Sequence, residues 1–139
     1  MQNDGGNGKF KLVHELYDPQ GKPASTTPIR EFKIKAGETY TDKAELVVLN
    51  PQYWSVDTPR LYRVVTKVYE TSSGTVIDRY ETRVGLRSFE FTDKGFTLNG
   101  KPMQIQGVCN HHDLGCLGAA VNTVALRRQL QMLKDAGIN

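Results

Sequence analysis

The chain's most reactive side chains are gathered in one stretch of twelve residues, GVCNHHDLGCLG, from Gly107 to Gly118. It holds Asn110, His111, His112 and Asp113, flanked by Cys109 and Cys116. Three chemistries are open to such a set. Cys109, His111, His112 and Cys116 are all metal-ligand types, although adjacent histidines rarely share one ion and this spacing matches none of the common zinc patterns. A second use is structural, since a His and an Asp taken out of water must find hydrogen-bond partners and can tie a loop to itself. The third is a substrate site, in which His111, His112, Asp113 and Asn110 meet the hydroxyl groups of a polar ligand. Composition does not choose between the last two. The cysteines are compatible with free thiols, a short disulfide or metal ligation.

The neighbouring elements decide where this loop points. Asp93-Lys94-Gly95 reads as a turn and Phe96-Thr97-Leu98 as a short strand. Asn99-Gly100 is a two-residue hairpin signal, because both positions tolerate positive φ. The return run Met103 to Val108 predicts a buried strand. Beyond the loop, Asn122 is a plausible N-cap for a helix from Thr123. Leu126, Leu130 and Leu133 fall on one stripe, Met132 flanks it, and Gly137 stops the helix. The loop therefore follows the C-terminal end of a strand, the end at which βα architectures build active sites. Ile138-Asn139 reads as the opening of a second buried strand. Parallel strands joined by a helix do not make a domain alone, so the expectation is a piece of a larger protein.

Upstream the period is two. Phe10, Leu12, His14 and Leu16 share one face of a strand, with Val13 and Tyr17 on the other. Further strands are predicted over Ile29–Ile34, Ala44–Leu49, Leu61–Tyr69 and Val76–Val84, with Phe89 and Phe91 continuing as a sixth. Short strands with turn signals every ~8–12 residues argue an immunoglobulin-like β-sandwich. The predicted organisation is mainly β: a flexible, glycine-rich leader over 1–9, a sandwich domain over 10–91, and the truncated first β-α unit of a (β/α)₈ barrel over 92–139. Trp54, the one tryptophan, reads as a ring plugging an end of the sandwich.

Hydrophobic residues make up 38% of the 139 and charged residues 24%, which argues against disorder. The net charge of +3 is interspersed, with no basic cluster among aromatics, so nucleic acid is not an expected partner. No apolar run approaches the ~18 residues of a membrane-spanning helix. Localisation is left open.

Three motifs carry a resemblance: NPQYWSVDTPRLYRV, VGLRSFEF and GFTLNGKPMQIQGVCNHHDLG, in this order over some ninety residues from Asn50 to Asn139. They resemble glycoside hydrolase family 2, and HHDLGCLGAA looks most like its β-galactosidase branch. FKLVHELYDPQGKPA resembles an early strand pair of the same sandwich. The resemblance implies a multidomain exo-glycosidase that cleaves terminal β-glycosides, here β-D-galactosides, with retention. Two glutamates would do the chemistry from later barrel strands. No Glu occurs after Glu90, so no catalytic residue is expected in this chain, which is predicted inactive alone. The resemblance places His111 at the sugar subsite. His112 and Asp113 orient it or line the rim, and Asn110 stands where a basic residue is common. No metal site and no cofactor are assigned here; a divalent cation in the parent is left open. The expected partner is a carbohydrate substrate, with self-association through the helix face or a sheet edge as a further expectation. The alternative reading is a non-catalytic carbohydrate-binding or structural immunoglobulin-like module.

Overall fold

The computed structural model describes residues 1–111, 113–120 and 122–139, in two compact units, Met1–Arg87 and Ser88–Asn139. His112 and Val121 lie outside the described residues.

The first unit is an antiparallel sheet. Its strands are β1 (Gly8–Tyr17), β2 (Pro23–Thr26), β3 (Arg30–Ile34), β4 (Tyr62–Glu70) and β5 (Val76–Val84). β4 lies between β1 and β5, while β2 and β3 run end to end along the other side of β1. The β1–β2 hairpin forms because the Asp18 carboxylate accepts from the Gln20 and Lys22 N–H groups at 2.9 and 2.8 Å, and Gly21 supplies φ +82°. Strand alternation then separates two faces. One carries the core: Leu12, Leu16, Phe32, Ile34, Tyr62 and Val68 are buried, and Tyr40 stacks on Phe32 with centroids 4.0 Å apart. Each such burial stabilises the fold by about 1.5–3 kcal/mol.

On the opposite face Val13 and Val65 are buried beneath a lattice of long side chains. Lys67 reaches Glu15 at 2.8 Å, the Tyr17 hydroxyl donates to Glu15 at 2.7 Å, and Arg63 lies 4.8 Å over the Tyr17 ring. The apolar stems cover the valines while the charged heads stay wet. The Lys67 and Tyr17 hydrogen bonds hold the Glu15 carboxyl below the ordinary glutamate value.

Three parts of this chain differ from the sequence reading. The leader is tied down: Gly8 and Lys9 already belong to β1, Gln2 bridges Thr39, and Asn3 N–H donates to Glu38 O at 3.0 Å. Its asparagines do this work, since Asn3 Nδ2 caps Lys35 O and Asn7 Oδ1 accepts from Ala36 N–H. Ala44–Leu49 is not a strand but part of an irregular stretch from 40 to 61. That stretch is held by side chains, for instance Gln52 N–H donating to the buried Tyr62 hydroxyl at 2.8 Å. Finally, the strand carrying Phe89 and Phe91 belongs to the second unit and pairs with Gly95–Leu98; a period of two does not say which sheet a strand joins.

Trp54 is half-buried and packs against Gly85 and Arg87. Its backbone N–H donates to Leu86 O at 2.8 Å, and Arg87 lies 5.4 Å over the ring. A Cβ on Gly85 would stand 2.9 Å from Trp54 Cβ and Cγ. Gly85→Ala should therefore destabilise this unit by about 2 kcal/mol through overpacking. Urea unfolding followed by the fluorescence of this lone indole tests it; an unchanged midpoint would mean that the ring can move aside.

The second unit opens with β6 (Phe89–Thr92), β7 (Gly95–Leu98) and β8 (Lys101–Pro102) in that spatial order. Asn99 and Gly100, at φ 52° and 74°, make the tight turn. The predicted strand Met103–Val108 is absent, and Ile105 and Val108 are more than half exposed. A ladder needs successive partners. Met103 N–H still reaches Phe96 O at 2.9 Å; beyond it, the backbone bonds seen among the described residues go to Asn139, which bonds Gln106 N and O at 3.0 and 3.1 Å and Gln104 O at 2.9 Å. The helix α1 (Thr123–Asp135) follows the sequence reading closely. Asn122 Oδ1 accepts from Val124 and Ala125 N–H, both at 3.1 Å. Gly137 at φ 93° lets Ile138 N–H reach Leu133 O and Gly137 N–H reach Lys134 O. This is a Schellman stop.

Candidate functional site

The loop between Met103–Val108 and α1 is shaped by its own polar groups. Asp113 Oδ1 accepts from Gly115 N–H at 2.9 Å, which starts the 3-10 turn Gly115–Leu117. Leu114 N–H then donates to Gly118 O at 2.9 Å and closes it. Gly115 and Gly118 sit at φ 63° and 56°, where a side chain would be strained.

This folding sorts the predicted residues. Asn110 and His111 come together beside a small cavity of ≈ 130 Å³, with Gln129 of α1 as its third polar group and Leu114, Ala119 and Leu126 as apolar walls. Asp113 lines a separate, wider depression of ≈ 600 Å³ with Asn122 and Arg128. The predicted set therefore divides, with Asp113 engaged in the turn. His112 lies outside the described residues. Ligand pockets usually measure about 300–1,000 Å³, so the smaller cavity can take part of a sugar, such as one edge with its hydroxyls. An imidazole, two carboxamides and aliphatic walls suit that task. Cys109 and Cys116 are exposed free thiols. Among the described residues no three His, Cys, Asp or Glu side chains converge as a metal site would require.

Sequence reasoning missed a second polar cluster, in the first unit. His14 Nδ1 lies 2.8 Å from Thr66 Oγ1 and His14 Nε2 3.1 Å from Asp42 Oδ2. Asp42 also accepts from Arg30 at 2.7 Å, and its side chain is 8% exposed. Burial pushes the Asp42 carboxyl up, but the His14 and Arg30 bonds outweigh it and the net direction is down. The signal was a histidine in the apolar stripe Leu12–His14–Leu16, which demands a partner.

The chain is thus mainly β, an antiparallel domain followed by a hairpin, a polar loop and a capped helix. That order matches an immunoglobulin-like domain followed by the start of a TIM barrel domain. The chain belongs to glycosyl hydrolases family 2. The family's model matches residues 2–87, and the model of its TIM barrel domain matches residues 89–139. It is 46% identical to the β-galactosidase BoGH2A of Bacteroides ovatus, over 96% of this chain and 15% of that protein. It is 35% identical to a putative β-glucuronidase of Formosa agariphila, over 99% of this chain and 16% of that one. The structure of a Bacteroides uniformis β-glucuronidase superposes with TM-score 0.91 at 36% identity, over 99% of this chain and 17% of that chain. The chain spans about a sixth of the length of these relatives.

Proposed function

We propose that this chain is part of a retaining exo-β-glycosidase that releases terminal β-D-galactosyl residues, and that it is inactive alone. The observation that carries the reading is the 46% identity to a β-galactosidase along almost the whole chain. A retaining reaction takes two carboxyl groups about 5 Å apart, and we assign neither to this chain. Its barrel portion supplies substrate contacts. A neutral His111 imidazole exchanges hydrogen bonds with sugar hydroxyls, which strengthen as charge develops at the anomeric carbon. Asn110 adds an amide beside it, and we place Asp113 as the group that holds the loop's path.

β-Glucuronidase is the second reading, favoured by the names of several relatives. A uronate carboxylate asks for Arg or Lys. Among the described residues the cavity beside His111 is lined by Asn110 and Gln129 and by no Arg or Lys, which suits the neutral sugar. The test is hydrolysis of aryl β-galactoside, β-glucuronide and β-mannoside by this chain and by a protein extended through the barrel. Turnover of the galactoside by the longer protein alone is the expected result. Preference for the glucuronide would move the assignment. No turnover by either, with oligosaccharide binding by this chain, would replace it with a binding module.

A further inference from the structure

One groove in the first unit carries charge that the fold leaves unanswered. It lies where the β1–β2 turn meets the starts of β4 and the end of β5, and encloses ≈ 600 Å³. Arg60, Arg63 and Arg83 line it. Arg63 and Arg83 are direct partners across the β4–β5 ladder. Residues so paired have Cβ atoms about 5 Å apart, and like charges there are destabilising. Arg63 is partly answered by Glu81 at 3.1 Å. Glu81 is shared with Arg79. Arg83 is exposed and, among the described residues, its guanidinium makes no hydrogen bond or ion pair.

The groove's one carboxylate, Asp18, is taken up by the Gln20 and Lys22 N–H groups of its own turn. Arg60 is held in place at the rim, with Nη1 donating to Gln52 Oε1 at 3.1 Å. Gln52 in turn exchanges bonds with Gln20 at 2.8 and 3.3 Å. The turn and the loop before β4 are thereby fastened on either side of an electropositive gap. Pro19, Pro59 and Leu61 give it apolar walls. A bare ion would use the cations only, whereas a ring bearing an anionic substituent uses both cations and walls.

We propose that this groove is a second, non-catalytic saccharide site, which takes a sugar ring carrying a carboxylate or sulfate, with Arg60 and Arg83 as its anion contacts. The choice of a sugar rests on the glycosidase reading, but the site is remote in sequence from His111 and its occupancy needs no catalysis. The planar guanidinium fork matches both oxyanions.

The test is amide NMR titration of the full chain with three probes: trigalacturonate, a neutral galactotriose and sodium sulfate. Only trigalacturonate should give saturable shifts, centred on Gln20, Gly21, Leu61 and Arg83, and these should weaken on going to physiological salt. Arg83→Gln and Arg60→Gln should each weaken binding about three- to tenfold. Both side chains are exposed, so the variants should stay folded, and their spectra report that directly. Absence of saturable shifts at millimolar ligand overturns the proposal. So does an equal response to the neutral trisaccharide, a match by sulfate alone, or undiminished affinity in both folded variants. Galactoside hydrolysis by the longer protein is read separately, so either proposal can fail without the other.

Discussion

In the protein that carries the complete barrel, His111→Ala should lower kcat/KM for an aryl β-galactoside by about 10²-fold. The loss falls mainly on kcat if the hydrogen bonds to the sugar strengthen in the transition state. The fold offers little else for this side chain to do: His111 is exposed, and no hydrogen bond to it is seen among the described residues. Stability should therefore change by under about 0.5 kcal/mol. Asp113→Ala should behave differently. It removes the acceptor for Gly115 N–H, so the turn loosens and activity falls together with order in the loop. Asp113→Asn, which keeps an acceptor oxygen, should restore most of both. Steady-state kinetics with melting curves separate the two positions. Full activity in His111→Ala would remove it from the substrate site, and a matching loss of stability would make its role structural.

What could be read from the residues was the local part of the fold. Asn122, Gly137 and Asn99-Gly100 each shape backbone within a few positions of themselves, and each does so in the structure. The strands β1 and β4 were legible because their inward positions are buried, which writes a period of two into the sequence. Non-local facts were not. Leu46 and Val48 alternate with Val47 and Leu49 as a strand would, yet no backbone pairs with them among the described residues. Phe89 and Phe91 show the right period and join a different sheet. The site divides the same way. Asn110 and His111 adjoin in sequence and share a cavity. Asp113, three residues on from Asn110, faces elsewhere because its carboxylate is claimed by Gly115. The His14–Asp42 contact spans 28 residues, and only half of it, a histidine among leucines, was visible beforehand.

That contact carries the largest stability effect expected in the first unit. Asp42 receives three donors: His14 Nε2 at 3.1 Å, Arg30 Nη1 at 2.7 Å and the Tyr40 hydroxyl at 3.4 Å. A neutral His14 serves both sides in one tautomer, donating from Nε2 to the carboxylate and accepting at Nδ1 from the Thr66 hydroxyl. The cluster fastens the start of the irregular stretch onto the sheet, next to Tyr40 stacked on Phe32. Asp42→Ala leaves the half-buried imidazole without its acceptor, and should cost about 3 kcal/mol. The pH dependence follows from the direction of the carboxyl's shift. Its folded value lies below the ordinary 3.8, so the unfolded chain binds the proton more readily than the folded one. The stabilisation is whole above the unfolded value, declines as pH drops past it, and is gone below the folded value. Glu15, held down by Lys67 and Tyr17, adds a second acid-labile pair. Asp42→Asn should thus flatten the acid limb of the stability curve without abolishing it, while weakening the protein at neutral pH. Urea midpoints from pH 7 down to the acid limb, for the parent and both Asp42 variants, measure this. Parallel curves for parent and Asp42→Asn would show that the carboxylate's charge contributes nothing, and that the cluster holds by packing alone.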